Sequence, residues 1–126
     1  FYEQIIVAGD PLSWPDARSA AQSLLHDGIT GHLVTITSLE EQLFVESIYD
    51  GQKSWIGLTD DENYGGIESS TLSDPVVDGW SWVTGEPVAY TNWFTVGEPN
   101  DSGDYVTIGT GAKVGGWNDD YGRLAS

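Results

Sequence analysis

The sequence of 126 residues contains no cysteine. It therefore has no disulfide framework, no cysteine-ligated zinc cluster and no thiol nucleophile, and side-chain packing has to supply its stability. A chain of this length makes one domain rather than two, and folding buries roughly two-thirds of the surface that the unfolded chain exposes. We expect a single domain over residues 1–126, and its last strand is the one element that the sequence does not provide.

Positive charge is also scarce. The chain has 4 lysine and arginine residues against 20 aspartate and glutamate residues, and its formal net charge is −16. From Asp60 onward there are twelve acidic residues and two basic ones, Lys113 and Arg123. Such a surface repels phosphate groups, so nucleic acid is excluded as a partner.

The acidic residues of the second half concentrate where loops are predicted. Solubility explains scattered acids but not this clustering. Neighbouring carboxylates raise one another's pKa values unless a cation offsets their charge. Bound Ca²⁺ is the simplest explanation.

The chain has no apolar run of 18 residues, which excludes a membrane-spanning helix. It opens on Phe1-Tyr2-Glu3 without the positively charged start of a secretory signal. We expect that any export signal has been removed and that the protein is secreted or on the cell surface, without membrane insertion.

Two amphipathic helices are predicted in the first half. The first begins after an N-cap at Ser13 and ends at Gly28. The second begins at a capping box formed by Ser38 and Glu41 and stops at Gly51. The apolar positions at helical spacing are Ala17, Ala20, Ala21 and Leu24 in the first helix and Leu39, Leu43, Phe44 and Ile48 in the second.

The remaining pattern predicts short strands. Residues 4–7 form a β-branched run, and from Ser54 onward short apolar stretches alternate with Gly, Asp, Asn and Pro. Residues 63–79 have no clear periodicity and are interpreted as an insertion in a loop. Helices followed by strands indicate an α+β fold.

Two short motifs indicate a cation site. Glu98-Pro99-Asn100 is followed, 18 residues after Asn100, by the Asn118 of Trp117-Asn118-Asp119, with the strand-like residues 105–108 between them. Carboxylate and amide oxygens are the ligands that Ca²⁺ prefers, and it takes six to eight of them. We predict that Glu98, Asn100, Asn118 and Asp119 converge on one calcium ion.

These motifs resemble the calcium and sugar site of the C-type lectin domains. The resemblance extends to Trp55-Ile56-Gly57-Leu58 as a central strand, to Trp80-Ser81-Trp82 and Tyr90-Thr91-Asn92-Trp93 as the approach to a long loop region, and to residues 31–36 as a strand between the two helices. It implies a C-type lectin-like fold, in a disulfide-free, prokaryote-like version.

The resemblance also implies a function. Glu98, Asn100, Asn118 and Asp119 would bind both Ca²⁺ and a mannose-type sugar, and Pro99 would follow a cis peptide bond. The expected activity is calcium-dependent carbohydrate binding in adhesion or recognition, with a mannose-type glycan or polysaccharide as the partner.

Some positions depart from the family pattern. A further acidic ligand is usual where Gly103 precedes Asp104, so Asp104 or Asp101 would have to replace it. Tyr105 occupies a position where the family has a cysteine. A second cation site is predicted from Asp60, Asp78, Asp101 and Asp104, and the alternative is that these are solvated loop acids.

Other functions stay open. A structural or adhesive module of an extracellular assembly, with calcium stabilising its loops, is the alternative to sugar binding. An enzyme is not expected, because metal-bound carboxylates do not act freely as proton donors. Asn100-Asp101-Ser102 also has the form of a glycosylation sequon, which we consider a weak signal.

The tryptophans and histidines have structural interpretations. Core packing is favoured over sugar stacking for the tryptophans at positions 55, 80, 82, 93 and 117. We interpret His32 as a structural histidine inside an apolar strand and His26 as a helix-end residue that interacts with the helix dipole.

The last prediction concerns residues 4–7. In the C-type lectin fold a final strand pairs with the first one, and residues 120–126 are too short to provide it. An exposed apolar edge promotes aggregation. We therefore expect a strand of a neighbouring chain, or of further residues of the same protein, to pair with residues 4–7 and favour self-assembly.

Overall fold

The computed structural model describes residues 2, 13–48, 53–67, 78–93, 99, 103–109 and 115–120. In chain order the elements are α1 (Trp14–Gln22), β1 (Leu25–His26), β2 (Ile29–Thr30), α2 (Leu39–Ile48), β3 (Ser54–Thr59), a 3₁₀ turn (Glu62–Tyr64), β4 (Ser81–Trp82), β5 (Tyr105–Ile108) and β6 (Trp117–Asp120). Both helices precede the main run of strands, which confirms the α+β class. The predicted strand at residues 4–7 and the predicted helix stop at Gly51 lie outside the described residues.

Helix α1 begins where the sequence predicts. The Ser13 hydroxyl accepts a hydrogen bond from a backbone N–H of the first turn at 3.3 Å, and Pro15 stands where its missing N–H leaves no bond unmade. Trp14 attaches the helix to the sheet. Its side chain is fully buried, and its indole N–H donates to the Ile56 carbonyl at 2.8 Å.

The end of α1 differs from the prediction. The helix stops at Gln22, and the chain then forms a hairpin in which β1 and β2 pair antiparallel. Asp27 and Gly28 form its turn with φ angles of 52° and 78°. Positive φ at both positions is what a two-residue hairpin turn requires, and Asp-Gly is a preferred pair there. The prediction for His26 was therefore also wrong, because this residue lies in β1 and not at a helix end.

Residues 31–36 were wrongly predicted to form a strand: the structure has no strand there. This segment nevertheless packs on β3, where the Gly57 N–H donates to the Val34 carbonyl at 2.8 Å. A Cβ atom on Gly57 would lie 2.9 Å from Val83 Cγ2, so the close approach requires glycine. The His32 side chain is exposed, and its Nδ1 lies 2.6 Å from the carbonyl of the next residue.

Helix α2 has the predicted cap in a modified form. The Glu41 N–H donates to the Ser38 hydroxyl at 3.2 Å, as in a capping box. The Glu41 carboxylate accepts from the Thr37 N–H at 2.9 Å rather than from the N-cap residue itself. These hydrogen bonds, with the Thr37 hydroxyl bond first, lower the pKa of Glu41 below its ordinary value.

The buried face of α2 is not the predicted one. Its two buried residues are Gln42 and Val45. The four apolar residues predicted for this helix stay between 40% and 55% exposed; they are Leu39, Leu43, Phe44 and Ile48. By helix geometry, Leu39 and Ile48 lie on the two flanks of the stripe formed by Gln42 and Val45, and Leu43 and Phe44 lie further round, toward solvent.

Four strands form one antiparallel sheet in the order β4-β3-β5-β6. The strand predicted at residues 105–108 is confirmed as β5. Trp93 adds a parallel bridge to Trp117. The core contains most of the tryptophans predicted for it: Trp80, Trp82, Trp93 and Trp117 are buried, whereas Trp55 is half-buried.

No helix among the described residues has both the length and the apolar character needed to cross a membrane.

Candidate functional site

Strand β6 carries the second of the two predicted motifs. Its side chains alternate in burial: Trp117 and Asp119 are fully buried, and Asn118 and Asp120 are half-buried. Successive side chains of a strand face opposite sides of the sheet, so Asn118 and Asp119 have different surroundings. Asn118 is the more accessible of the two predicted ligands on this strand.

Asp120 is held by an ion pair. Lys53 Nζ lies 2.6 Å from Asp120 Oδ2, between side chains that are only partly exposed. The pair fastens the end of β6 to the residue that precedes β3. It also brings one of the few cations of the chain next to the Asn118-Asp119 motif.

The start of β6 is held by a set of hydrogen bonds that we call the Gln42 junction, formed by Gln42, Asn92, Gly115 and Trp117. The Gly115 carbonyl accepts from Gln42 Nε2 at 2.9 Å and from Asn92 Nδ2 at 3.0 Å. The Trp117 indole N–H donates to Gln42 Oε1 at 3.0 Å, and its backbone N–H donates to the Asn92 carbonyl at 2.9 Å. The junction therefore connects α2, the segment at residues 90–93 and β6.

A second cluster lies where β3 and β5 meet at the other end of the sheet. The Asp104 carbonyl accepts from the Thr59 hydroxyl at 2.5 Å and from the Asp60 N–H at 3.2 Å. The Asp61 N–H donates to the same Thr59 hydroxyl at 3.0 Å. The Thr59 hydroxyl thus joins the backbones of Asp104 and Asp61, and Asp60 is bonded directly to the Asp104 carbonyl. We call these three aspartates and Thr59 the acidic corner.

Tyr105 closes the acidic corner from one side. Its hydroxyl donates a short hydrogen bond to the Asp61 carboxylate, and its ring stacks on Trp14 with centroids 4.8 Å apart. Burial raises the pKa of Tyr105, and the hydrogen bond and negative charge of Asp61 raise it further. Tyr105 therefore attaches the acidic corner to α1 through both its ring and its hydroxyl.

The remaining predicted ligands differ in placement. Asp60 is 2% exposed, and Gly66 packs so closely on it that a Cβ atom would lie 2.3 Å from the Asp60 carbonyl carbon. Asp78 is exposed in a turn. That turn is connected to the same region, because the Ile67 N–H donates to the Gly79 carbonyl at 2.9 Å.

The described ranges contain no group of three or more His, Cys, Asp or Glu side chains that is able to hold a metal ion. Asp60, Asp78 and Asp104 therefore do not form such a group by themselves. Glu98, Asn100 and Asp101 lie outside the described residues, and Pro99 lies half-buried at a bend. The chemistry of the predicted ligands still fits calcium, because all their side-chain donors are carboxylate or amide oxygens.

The sequence predictions missed several residues that shape this region. The roles of Gln42 and Asn92 were not identified, because the sequence pattern of α2 pointed to a different buried face. The ion pair of Lys53 and Asp120 had no signal at all, since its partners are far apart in the chain.

Comparison with known proteins agrees with this fold. The family model described as the lectin C-type domain matches residues 10–122. Among curated proteins, the chain is 31% identical to Halomucin of Haloquadratum walsbyi, over 94% of this chain and 1% of that protein. It is 34% identical to the low affinity immunoglobulin epsilon Fc receptor of Mus musculus, over 87% of this chain and 28% of the receptor. The chain thus spans a minor part of these two relatives.

Solved structures give the same result. The C-type carbohydrate-recognition domain of cow CD23, determined in the presence of a GlcNAc2Man3 oligosaccharide, superposes with a TM-score of 0.65 at 32% identity, covering 91% of this chain and 75% of that one. A calcium-independent type II antifreeze protein superposes with a TM-score of 0.66 at 30% identity, covering 91% and 74%. The motif on β6, the sheet that carries it and the match over residues 10–122 place this chain in the C-type lectin domain family, whose members are non-enzymatic binding modules.

Proposed function

We propose that this domain binds carbohydrate in a calcium-dependent manner, with a preference for mannose-type sugars, in adhesion or recognition outside the cell. The observation that carries the proposal is strand β6, on which the fully buried Asp119 follows the accessible Asn118. Carboxylate and amide oxygens are the ligands that Ca²⁺ prefers, and the Glu98-Pro99-Asn100 motif supplies further ones. The cow CD23 domain, whose structure was determined with a mannose-containing oligosaccharide, supports the choice of sugar.

The proposed division of roles follows from side-chain chemistry. Glu98, Asn100, Asn118 and Asp119 are proposed to hold the ion. Glu98, Asn100 and the half-buried Asn118 would also contact the sugar, whereas the fully buried Asp119 would act on the sugar only through the ion. A carboxylate oxygen accepts a hydrogen bond from a sugar hydroxyl, whereas an amide NH₂ group donates one. The bound ion supplies open coordination positions for two neighbouring hydroxyl groups. We expect a dissociation constant for calcium of roughly 10⁻⁴ to 10⁻³ M, which is typical of modules that act outside the cell.

A second cation site at the acidic corner is part of the proposal. Asp60 and Asp104 already lie next to each other, because the Asp60 N–H donates to the Asp104 carbonyl. Asp78 and Asp101 would complete the set. A calcium stoichiometry above one ion per chain supports this site, and a stoichiometry of one or less contradicts it.

The test combines calorimetry with sugar retention. Calcium is titrated into chelator-treated protein, and the protein is then passed over immobilised mannan with calcium or with EDTA. The variant Glu98→Gln with Asn100→Asp is expected to lose both activities. Glu86→Gln is the matched control, because Gly85-Glu86-Pro87 repeats the sequence around Glu98 while Glu86 accepts hydrogen bonds from Thr35 and Thr84.

The alternative function is a structural or adhesive module of an extracellular assembly. The acidic corner favours it, because Thr59 and Tyr105 already hold this region together with hydrogen bonds of the protein itself. The similarity to a calcium-independent antifreeze protein supports the same alternative. Calcium binding without retention on mannan favours this module, and absence of calcium binding contradicts the lectin proposal.

Two further expectations stay predictions. The pairing of residues 4–7 with another strand and the extent of the domain over residues 1–126 concern parts of the chain outside the described residues. Analytical ultracentrifugation tests the first, since self-assembly through an edge strand increases with protein concentration.

A further inference from the structure

The amide of Gln42 is buried and uses both of its ends. The side chain is 1% exposed although it lies on a helix with four partly exposed apolar residues. Nε2 donates to Glu46 Oε2 at 2.8 Å and to the Gly115 carbonyl at 2.9 Å, and Oε1 accepts from the Trp117 indole. A primary amide offers two donors and an acceptor, so all three capacities are used.

Gly115 fits tightly against this amide. Its φ is 69°, and a Cβ atom there would lie 2.5 Å from Gln42 Nε2 and 2.7 Å from Glu46 Oε2. Any other residue would combine backbone strain with a steric clash. The contact between α2 and the start of β6 is therefore direct, and it leaves little freedom for β6 to shift.

Trp117 makes one hydrogen bond through its side chain and one through its backbone. Its indole N–H is bound by Gln42 and its backbone N–H by the Asn92 carbonyl. The next residue is Asn118. The same Asn92 also donates to the Gly115 carbonyl, so helix α2 and residues 90–93 hold the same turn.

The Gln42 junction matters because it lies at the start of β6 and so bears on how β6 pairs with β5. Val106 pairs with Asp119 and Thr107 with Asn118 across β5 and β6. A slip of one residue would exchange the faces of Asn118 and Asp119, which would bury the amide and expose the carboxylate. An apolar side chain at position 42 would fill the same space but would not bind the Trp117 indole, and so would not select the register.

We propose that Gln42 is a positioning residue of the β6 site: through Trp117 and Gly115 it sets the register that turns Asn118 outward and Asp119 inward. The calcium readout of this inference rests on the proposed function. The register itself can be measured without calcium.

The test variant is Gln42→Leu, which keeps most of the side-chain volume and removes three hydrogen bonds. Trp14→Phe is the matched control, since it also removes a buried indole hydrogen bond, to the Ile56 carbonyl, but does not touch the junction. Calcium affinity is measured at a temperature where both variants are folded. Residues that orient metal ligands typically change metal affinity about 10- to 100-fold, and we expect a loss of that size at the β6 site for Gln42→Leu. Trp14→Phe, whose ring lies against Tyr105 at the acidic corner, should leave the affinity of the β6 site unchanged.

Backbone NMR of the calcium-free protein provides the second readout. Gln42→Leu is expected to shift the amide signals of Asn118 and Asp119 and to accelerate their hydrogen exchange, whereas Trp14→Phe leaves both at wild-type values. If Gln42→Leu does not fold, Trp117→Phe removes the other partner of the same hydrogen bond and has to reproduce the shifts.

The two proposals fail in different ways. If the wild-type protein binds no calcium, the proposed function is wrong, and the amide shifts still decide the role of Gln42. Wild-type signals at Asn118 and Asp119 in both Gln42→Leu and Trp117→Phe overturn the positioning role. Equal changes in Trp14→Phe overturn it as well, since general loss of stability would then explain them.

Discussion

The central sheet and helix α2 differ in where their apolar residues lie. In the sheet, apolar side chains such as Ile56, Leu58 and Val106 are fully buried, and the polar Thr107 and Asp119 are buried beside them. In α2, an amide is buried while Leu43 and Phe44 stay about half exposed, at 55% and 49%. Burial of apolar area orients the sheet, whereas hydrogen bonds to β6 determine which face of α2 is turned inward.

Trp117 belongs to both regions. Its ring makes edge-on contacts with Trp82 and Trp93, at centroid distances of 5.6 Å and 5.8 Å, and its indole N–H is bound by Gln42. Aromatic pairs in this geometry contribute about 0.5–1.5 kcal/mol beyond their buried area. The packing of the sheet and the orientation of the helix therefore depend on the same side chain.

The largest expected effect compares one aromatic residue from each region. Trp117→Ala should lower the free energy of unfolding by about 3–5 kcal/mol, because it leaves a cavity in a close-packed core. Phe44→Ala should cost clearly less, because half of that side chain is already in water. Urea unfolding of both variants measures the difference, and equal losses would contradict the comparison.

Exchanging polar and apolar residues in α2 is the next test. Gln42→Leu should cost roughly 1–3 kcal/mol, because it leaves the buried indole N–H of Trp117 without its acceptor. Leu43→Gln, one position further, should change the stability by less than about 1 kcal/mol, since position 43 faces solvent. If Gln42→Leu stabilises the protein, the hydrogen bonds of the junction do not orient the helix.

Added salt should distinguish the contribution of apolar burial to stability from that of electrostatic repulsion. A net charge of −16 destabilises the compact state by self-repulsion, and added salt screens it. The melting temperature of the wild type and of both aromatic variants should therefore rise with sodium chloride. The difference between Trp117→Ala and Phe44→Ala should stay nearly constant, because it arises from apolar burial. A difference that disappears in salt would indicate an electrostatic origin.

The smallest effect concerns the N-terminal end of α2. The pKa of Glu41 is lowered from its ordinary value of 4.5, first by the hydrogen bond from the Thr37 hydroxyl. A lowered pKa in the folded state means that Glu41 stabilises the protein above pH 4.5 and that this stabilisation is lost as the pH falls below it. Thr37→Val should therefore narrow the difference in stability between pH 6 and pH 3. Thermal melts at the two pH values measure this change. Thr84→Val serves as the control, because the Thr84 hydroxyl donates to Glu86 and not to Glu41.

The local signals of the sequence were reliable where one residue determines the outcome. Ser13 and Ser38 start the two helices as predicted, since an N-cap needs only a nearby hydroxyl. The predicted end of α1 was wrong because Gly28 was interpreted as the helix stop, although Gly28 after Asp27 also favours a hairpin turn. One short pattern was compatible with two local structures, and the pairing of β1 with β2 decided between them.

For the candidate site, the structure gives the position of one motif, whereas its cation chemistry stays a prediction. Trp117-Asn118-Asp119 was identified from its residue types, and the structure places it on β6. The sequence did not indicate that Asp119 is fully buried, that the Thr59 hydroxyl binds the Asp104 carbonyl, or that Lys53 binds Asp120. Each of these facts depends on which strands are neighbours, and the residue types of a single segment do not contain that information.

By itself, the sequence determined the α+β class, the helix starts and most of the tryptophan core. It also determined the C-type lectin resemblance, which the comparisons confirm. These features follow from composition, local hydrogen bonding and the spacing of motifs. Only the tertiary structure decided which face of α2 is buried and how β6 is held in register. Gln42 lies 73 residues before Gly115 and 75 residues before Trp117 in the chain. Its hydrogen bonds to them exist only once the fold brings these residues together.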